Sequence, residues 1–295
     1  MRIAVVGLGG VGGYLAASLA KTSDEVVGFA RGEHLKVIQE KGITIMEDDA
    51  TWSQSLNALE LNAVSGYFDI VLFCVKSYDL YSSYESMKNS CNSKTILLSF
   101  SNGVSNGDVL RGLSSSVVLD GCIYILSHIE RLGVVRKKGK VFAAVFGGDA
   151  NATELLNGIF IEASLRTKTP EDIQTAIWKK YIFISAFASL TSYYEESIGS
   201  IYEHHYEEAK TLLEEIALVA DAVGVDINAE VEKSLATAFK VPYDSSTSMA
   251  LDFKNEKRDE LESLSGYIVT KAEEFSLKVP LMKRIYKELL KKHRG

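Results

Sequence analysis

A chain of 295 residues with 46% hydrophobic and 24% charged side chains has ordinary globular composition and enough length for one large domain or two medium ones. That composition excludes disorder, collagen-like repeats and small disulfide scaffolds. A formal net charge of −7 leaves no basic field to neutralise a run of phosphates, which excludes nucleic acid and anionic membrane surfaces as expected partners.

Glycine is spread unevenly, with 17 of the 22 before residue 150 and 5 after it, while Pro170, Pro242 and Pro280 all fall in the later part. The shift marks two architectures, predicted as residues 1–168 and 169–295. In the first, β-branched runs at 2–6, 25–30, 68–75, 95–100 and 117–126 alternate with amphipathic stretches at 11–21 and 34–41. A hairpin is predicted over 133–146, turning at Lys138-Gly139. The fold class expected is α/β, a Rossmann-like domain with a mostly parallel sheet, followed by an all-α domain. The helical part opens with Thr169 as N-cap, Pro170 at the first helical position, and Glu171 and Asp172 complementing the helix dipole. Its helices are expected at 171–192, 206–223 ending at Gly224, 230–240, 259–276 and 281–292.

Two segments imitate export or membrane signals. Glycines at 7, 9, 10, 12 and 13 interrupt any apolar core in the first twenty residues. The uncharged run 181–194 falls short of the roughly 20 residues that span a bilayer and is diluted by Ser185, Ser189, Thr191 and Ser192, so it reads as a buried helix. Cys74, Cys91 and Cys122 form no CxxC and do not all pair within one chain, the pattern of reduced thiols in a cytoplasmic protein, and no metal is expected.

Gly7-Leu8-Gly9-Gly10-Val11-Gly12 is G-x-G-x-x-G directly after the apolar run IAVV and before the helix-forming YLAASLA. The first glycine permits the tight turn, the second lets backbone amides approach a pyrophosphate, and the third lets the helix pack close to the sheet. An NAD site would place Asp or Glu about 20 residues on to accept from the ribose 2′-hydroxyl. This chain has Arg31, which pairs instead with a 2′-phosphate, a charge-assisted contact worth about 1.5–3 kcal/mol and a preference for NADPH.

With these residues in view, the chain resembles the ketopantoate reductase family, the NADPH-dependent 2-dehydropantoate 2-reductases, over nearly its whole length. The resemblance is carried by GLGGVGG with Arg31, by VLFCVKSYD with Lys76, by SNGV with Asn102-Gly103, and by Trp178-Lys179-Lys180 with Ser248-Met249, Asp252, Glu260 and Gly266. It implies reduction of a 2-oxo acid, 2-dehydropantoate to (R)-pantoate in pantothenate and coenzyme A biosynthesis, at a site between the domains. By the same resemblance Lys180 is the general acid toward the carbonyl oxygen. Glu260 lies near that lysine and the nicotinamide ribose, Asn102 bridges cofactor and substrate, Ser248 holds the substrate carboxylate, and Lys76 stands beside the cofactor. The residues agree with the lysine's role, because Ile177, Tyr181, Ile184 and Ala188 surround Lys180 at helical spacing, so its stem lies along apolar surface and its head needs a partner.

The chain departs from the family pattern where asparagines four and eight residues after the lysine are replaced by Ile184 and Ala188, and where Ser265 precedes Gly266. An apolar wall at Ile184 and Phe187 would favour a bulkier, less hydroxylated 2-oxo acid, and a non-catalytic NADP-binding sensor is the alternative from another class. Adjacent His204 and His205 lack metal-pair spacing and read as a solvated face. Glu207, Glu208, Glu214 and Glu215 read as an exposed helix surface, and the basic residues from 287 to 294 as complementing a helix C-terminus. A helical part of this size has room for a homodimer face.

Overall fold

The computed structural model describes residues 1–22 and 24–294, with the side chains of His293 and Arg294, part of the basic tail noted above, outside the described residues. It divides into two compact units, one formed by 1–101 and 105–173, the other by 102–104 and 174–295.

The first unit is built on a ten-stranded sheet. In chain order its elements are β1 (Arg2–Val6), α1 (Gly10–Leu19), β2 (Glu25–Phe29), α2 (Gly32–Lys41), β3 (Ile43–Met46), β4 (Thr51–Gln54) and β5 (Asn57–Leu59), then β6 (Ile70–Phe73), α3 (Leu80–Met87), β7 (Ile96–Ser99), α4 (Asn106–Leu113), β8 (Val117–Arg131), β9 (Val134–Gly147), α5 (Ala150–Glu162) and β10 (Thr167–Lys168). The strand order β4-β3-β9-β8-β7-β6-β1-β2-β5, with β10 on β9, contains the Rossmann order in the run β5-β2-β1-β6-β7-β8, whose five pairings are all parallel. Alternate residues of β1 enter separate core clusters, Ile3 and Val5 in one, Ala4 and Val6 in the other, so both faces are covered as a parallel sheet requires. The chain order reverses between β1 and β6, which opens a crevice beyond the C-terminal ends of those strands.

The predicted hairpin turn is corrected. β8 and β9 form one long antiparallel hairpin that turns at Leu132-Gly133, where Gly133 has φ +73°. Lys138-Gly139 lies within β9 at a bulge: Ile125 pairs with Phe142 but Leu126 with Lys138, and Gly139 takes φ +65° in the extra length. Sequence alone does not distinguish the two, since a glycine at positive φ serves a turn and a bulge equally. The sequence pattern does not reveal strands β3–β5 and β10 or helices α3–α5.

The second unit comprises α6 (Ile173–Tyr194), α7 (Ile198–His204), α8 (Tyr206–Ala222), α9 (Glu230–Lys240), α10 (Ser248–Lys254), a π-helical turn (Glu262–Gly266), α11 (Tyr267–Glu274) and α12 (Pro280–Arg294). Thr169 and Pro170 do not start α6. They precede it by an extended and a bent segment, and the first helical residue is Ile173. Pro280 does occupy the first position of α12, where its missing N–H costs nothing. The helix expected at 259–276 is interrupted by the π turn. Ile216, Val219 and Ala220 of α8 are fully buried, as are Ile268 of α11 and Met282, Ile285 and Leu289 of α12. Among the described residues no helix is long and apolar enough to cross a membrane.

Candidate active site

In the first unit the glycine loop sits at the crevice between β1 and β6. Gly7, at φ +96°, passes so close to the other strand end that a Cβ there would lie 2.9 Å from Val75 Cγ1 and 3.0 Å from the Cys74 carbonyl oxygen. A Cβ on Gly12 would fall on the Gly7 carbonyl oxygen, whereas one on Gly9 would meet nothing within 4 Å. Gly7 and Gly12 are thus required by packing, and Gly9 leaves open space at the N-terminus of α1. That helix has no side-chain cap and no acid in its first turn, which suits an anion. Val11 is half-buried in the same first turn, and at Gly10 a Cβ would lie 2.5 Å from the carbonyl oxygen of Ser127. The Ser127 hydroxyl is itself buried without a partner among the described residues.

Leu8 contributes to the loop through its backbone. Its side chain is 2% exposed and packs over Gly28, so only its backbone belongs to the loop surface. That backbone is gripped by His34, whose Nε2 donates to the Leu8 carbonyl at 2.9 Å while Nδ1 accepts from Gly133 N–H at 3.1 Å. His34 was not singled out from sequence, and its position three residues after Arg31 was the one available signal. Arg31, two residues past the end of β2, is the N-cap of α2 with an exposed guanidinium, 4.0 Å from Asp79 Oδ2, a separation at which an exposed pair contributes little. Lys76 is half-buried on the segment after β6, where its carbonyl accepts from Asp79 N–H at 2.9 Å.

In the second unit three predicted residues form one hydrogen-bonded set. Lys180, half-buried on α6, donates from Nζ to Asn102 Oδ1 at 3.1 Å, and Asn102 Nδ2 donates to Glu260 Oε2 at 3.4 Å. Glu260 is 2% exposed. Asn102 is followed by Gly103 at φ +122°, a conformation that explains the glycine. Ser248 is exposed at the first position of α10 and is not a member of this set. It is not the helix cap either: Thr247 Oγ1 accepts from Ala250 N–H at 3.2 Å in that role. The arrangement presents an ammonium, held by an amide that also contacts a buried carboxylate, and such a head can donate a proton to an oxyanion. Burial pushes the Cys74 thiol up to about 12 and Cys91 to about 11, so neither of these two thiols is a nucleophile near neutral pH.

A family profile described as ketopantoate reductase PanE/ApbA matches residues 3–151, and its companion, ketopantoate reductase PanE/ApbA C terminal, matches residues 172–293. The chain belongs to the ketopantoate reductase family. It is accordingly an NAD(P)-dependent oxidoreductase. It is 28% identical to the uncharacterized oxidoreductase YkpB of Bacillus subtilis (strain 168), with 98% of each chain covered. It is 30% identical to a crystal structure of 2-dehydropantoate 2-reductase from Porphyromonas gingivalis W83, at a TM-score of 0.85 with 98% of this chain and 99% of that one covered. It also shares its fold, at a TM-score of 0.90 and 18% identity over 100% and 99% of the two chains, with D-mandelate dehydrogenase solved with NADH and anilino(oxo)acetate.

The positions where this ketopantoate reductase family member departs from the family pattern resolve differently from one another. Ile184 is half-buried beside the equally half-buried Phe183, and both lie one helical turn beyond Lys180. Phe187 and Ala188 are 0% and 1% exposed, so the expected wall at Phe187 is corrected: that ring packs on Phe183 at 4.8 Å between centroids. Ser265 is fully buried and bonds Ser189 Oγ at 2.7 Å, which makes it part of a contact with α6. Two surface readings also change. Glu215 is buried and accepts from the Leu281 and Met282 amides at 2.9 and 2.7 Å. His205 stacks on Tyr194 at 3.6 Å between centroids, with Glu196 and Glu208 each within 4 Å of a ring nitrogen. Glu208 in turn accepts from the Tyr194 hydroxyl and from Arg284. Sequence pattern failed here because α8 packs on more of its circumference than a two-sided helix would.

Proposed function

We propose that the chain is an NADPH-dependent reductase of a 2-oxo acid, with 2-dehydropantoate as the substrate and a cytoplasmic setting in keeping with cysteines that are not paired in disulfides. The observation that carries the reading is the Lys180–Asn102–Glu260 set, because a carbonyl reduction needs a proton donor and this chain of bonds holds one. The cofactor's chemistry is hydride donation to the substrate carbonyl carbon. The backbone of Gly7, Gly9, Gly10, Val11 and Gly12, with that of Leu8, would hold its pyrophosphate at the α1 N-terminus. Arg31 would pair with the 2′-phosphate, Lys76 would stand beside it, and Asn102 and Glu260 would bind its nicotinamide ribose.

Lys180 polarises the carbonyl oxygen, stabilises the charge that develops on it and delivers the proton. General acid catalysis of this kind typically contributes about 10²–10⁴-fold. Asn102 orients the ammonium, Glu260 provides the carboxylate through which the lysine recovers its proton, and Ser248 hydrogen-bonds the substrate carboxylate. The half-buried Phe183 and Ile184 favour a second reading, an apolar or aromatic 2-oxo acid in place of the hydroxylated one, in keeping with the anilino(oxo)acetate held by D-mandelate dehydrogenase.

The test is NADPH oxidation with 2-dehydropantoate and a panel of branched and aromatic 2-oxo acids, run on the wild type and Lys180→Ala. Turnover on 2-dehydropantoate that falls by about 10² or more in the variant is the expected result. Turnover confined to the apolar acids establishes the second reading. Binding of NADPH without turnover on any of them overturns both and leaves the sensor.

A further inference from the structure

The run 181–194, apolar enough by sequence to imitate a membrane segment, carries a buried row of hydroxyls at helical spacing: Tyr181, Ser185 and Ser189. All three face the π turn. Tyr181 donates its one hydroxyl proton chiefly to the Leu264 carbonyl at 2.5 Å, with the Ser263 carbonyl at 3.2 Å as a second acceptor. Ser185 Oγ lies 3.4 Å from the same Leu264 oxygen, and Ser189 bonds Ser265. Burial pushes the Tyr181 phenol well above its ordinary range, so it is a donor throughout the physiological pH range. Its ring packs edge-on against Trp178 and Tyr267, at 5.3 and 6.2 Å between centroids.

A π turn is unusual in a helix and needs outside support, because its i→i+5 bonding, here Tyr267 N–H to Glu262 O, disturbs the regular ladder and leaves carbonyls to be satisfied from elsewhere. The residues that Tyr181 grips are the same two that grip Glu260. Leu264 N–H donates to the Glu260 carbonyl at 3.0 Å, and Ser263 Oγ donates to it at 3.1 Å. Followed onward, the contacts close a ring: Glu260 to Asn102, Asn102 to Lys180, and Lys180 to its chain neighbour Tyr181.

We propose that the Tyr181 hydroxyl is a positioning residue, which holds the π turn through the Leu264 and Ser263 carbonyls and so sets Glu260 against Asn102 and, through it, Lys180. The proposal rests on the roles given to Lys180 and Glu260 above. Phenylalanine at 181 would keep the ring packing and remove only the donor, leaving Ser185 as the near hydroxyl for the Leu264 oxygen. A displacement of about 1 Å in a catalytic group can cost on the order of 10²-fold in rate, and the hydroxyl's loss is a smaller perturbation than that.

The experiment compares wild type, Tyr181→Phe and, as a packing control, Leu235→Val on α9, a buried side chain outside the ring of contacts. Four quantities are read: thermal midpoint, backbone hydrogen exchange over 260–268, kcat, and KM for NADPH. Tyr181→Phe is expected to fold, to exchange at 260–268 about tenfold faster, and to lose about tenfold in kcat with KM for NADPH within about twofold. The control is expected to show neither change after an equal loss of thermal midpoint. Wild-type kcat in Tyr181→Phe, or unchanged exchange at 260–268, overturns the proposal. If the wild type reduces no 2-oxo acid, the functional reading fails on its own, and exchange over 260–268 still decides whether Tyr181 holds the turn.

Discussion

A glycine motif states several demands at once, and the structure separates them by position. Gly12 is needed because a side chain would collide with the Gly7 carbonyl, while Gly9 faces open space. Gly12→Ala should therefore lower the thermal midpoint, since the colliding atom is backbone that cannot swing aside. Gly9→Ala should fold at the wild-type midpoint and bind NADPH at least tenfold more weakly, because the methyl occupies the approach of the pyrophosphate. Calorimetric unfolding with cofactor titration checks both, and a Gly9→Ala protein of wild-type affinity would remove the loop from the cofactor site. Lys180 was legible in the sequence because a lysine amid apolar neighbours needs a partner. That the partner is Asn102, from 78 positions earlier, was not legible, since the contact depends on chain folding.

Helices were read well where ends carry chemical signals and poorly where packing decides. Helix α9 occupies residues 230–240 as expected, and α8 stops before Gly224 at φ +86°. The start of α12 instead depends on a residue from α8: Glu215 accepts two of the amides that the helix leaves unpaired. Glu215→Ala should destabilise the protein by roughly 1–3 kcal/mol, measured by denaturant or thermal unfolding, because a buried donor on Met282 loses its acceptor.

The pH dependence of that cap follows from the direction of the shift. Burial raises the Glu215 carboxyl above its ordinary value of 4.5, against the two amides, which lower it. In the window above 4.5 the folded protein holds this proton more tightly than the unfolded chain. Its contribution is therefore fully present below 4.5 and is lost as pH rises through the raised value. The midpoint of wild type relative to Glu215→Gln should accordingly fall as pH rises from 4.5 toward neutrality. A difference that stays constant would mean the carboxyl is unshifted, and one that grows would mean it is lowered.

At the scale of the whole molecule, cofactor choice is a linkage quantity. A ligand at 100 times its Kd stabilises a protein by about 2.7 kcal/mol, so an NADPH preference appears as a larger rise in thermal midpoint than the same concentration of NADH produces. Arg31 is exposed and only weakly engaged by Asp79, which leaves its guanidinium available to a 2′-phosphate. Arg31→Ala should abolish the difference between the two nucleotides while leaving the midpoint without nucleotide unchanged. Equal shifts by NADPH and NADH in the wild type would instead remove the preference assigned to Arg31, and a larger shift by NADH would move the cofactor assignment to NADH.

The sequence by itself determined the mostly parallel sheet, the glycine loop and several of the later helices, and its resemblance to the family made Lys180, Asn102 and Glu260 candidates. Each rests on local periodicity, on backbone constraints or on motifs whose order survives in one dimension. Only the tertiary structure decided that the glycine at 139 bulges a strand while that at 133 turns it, because both need positive φ and differ only in strand pairing. Only it decided that Glu215 caps a distant helix, and that the serines of α6 with Tyr181 serve a π turn some 80 residues later. A hydroxyl or carboxylate reads as polar surface in a sequence, and its burial becomes affordable only when a particular far-off carbonyl or amide arrives to meet it.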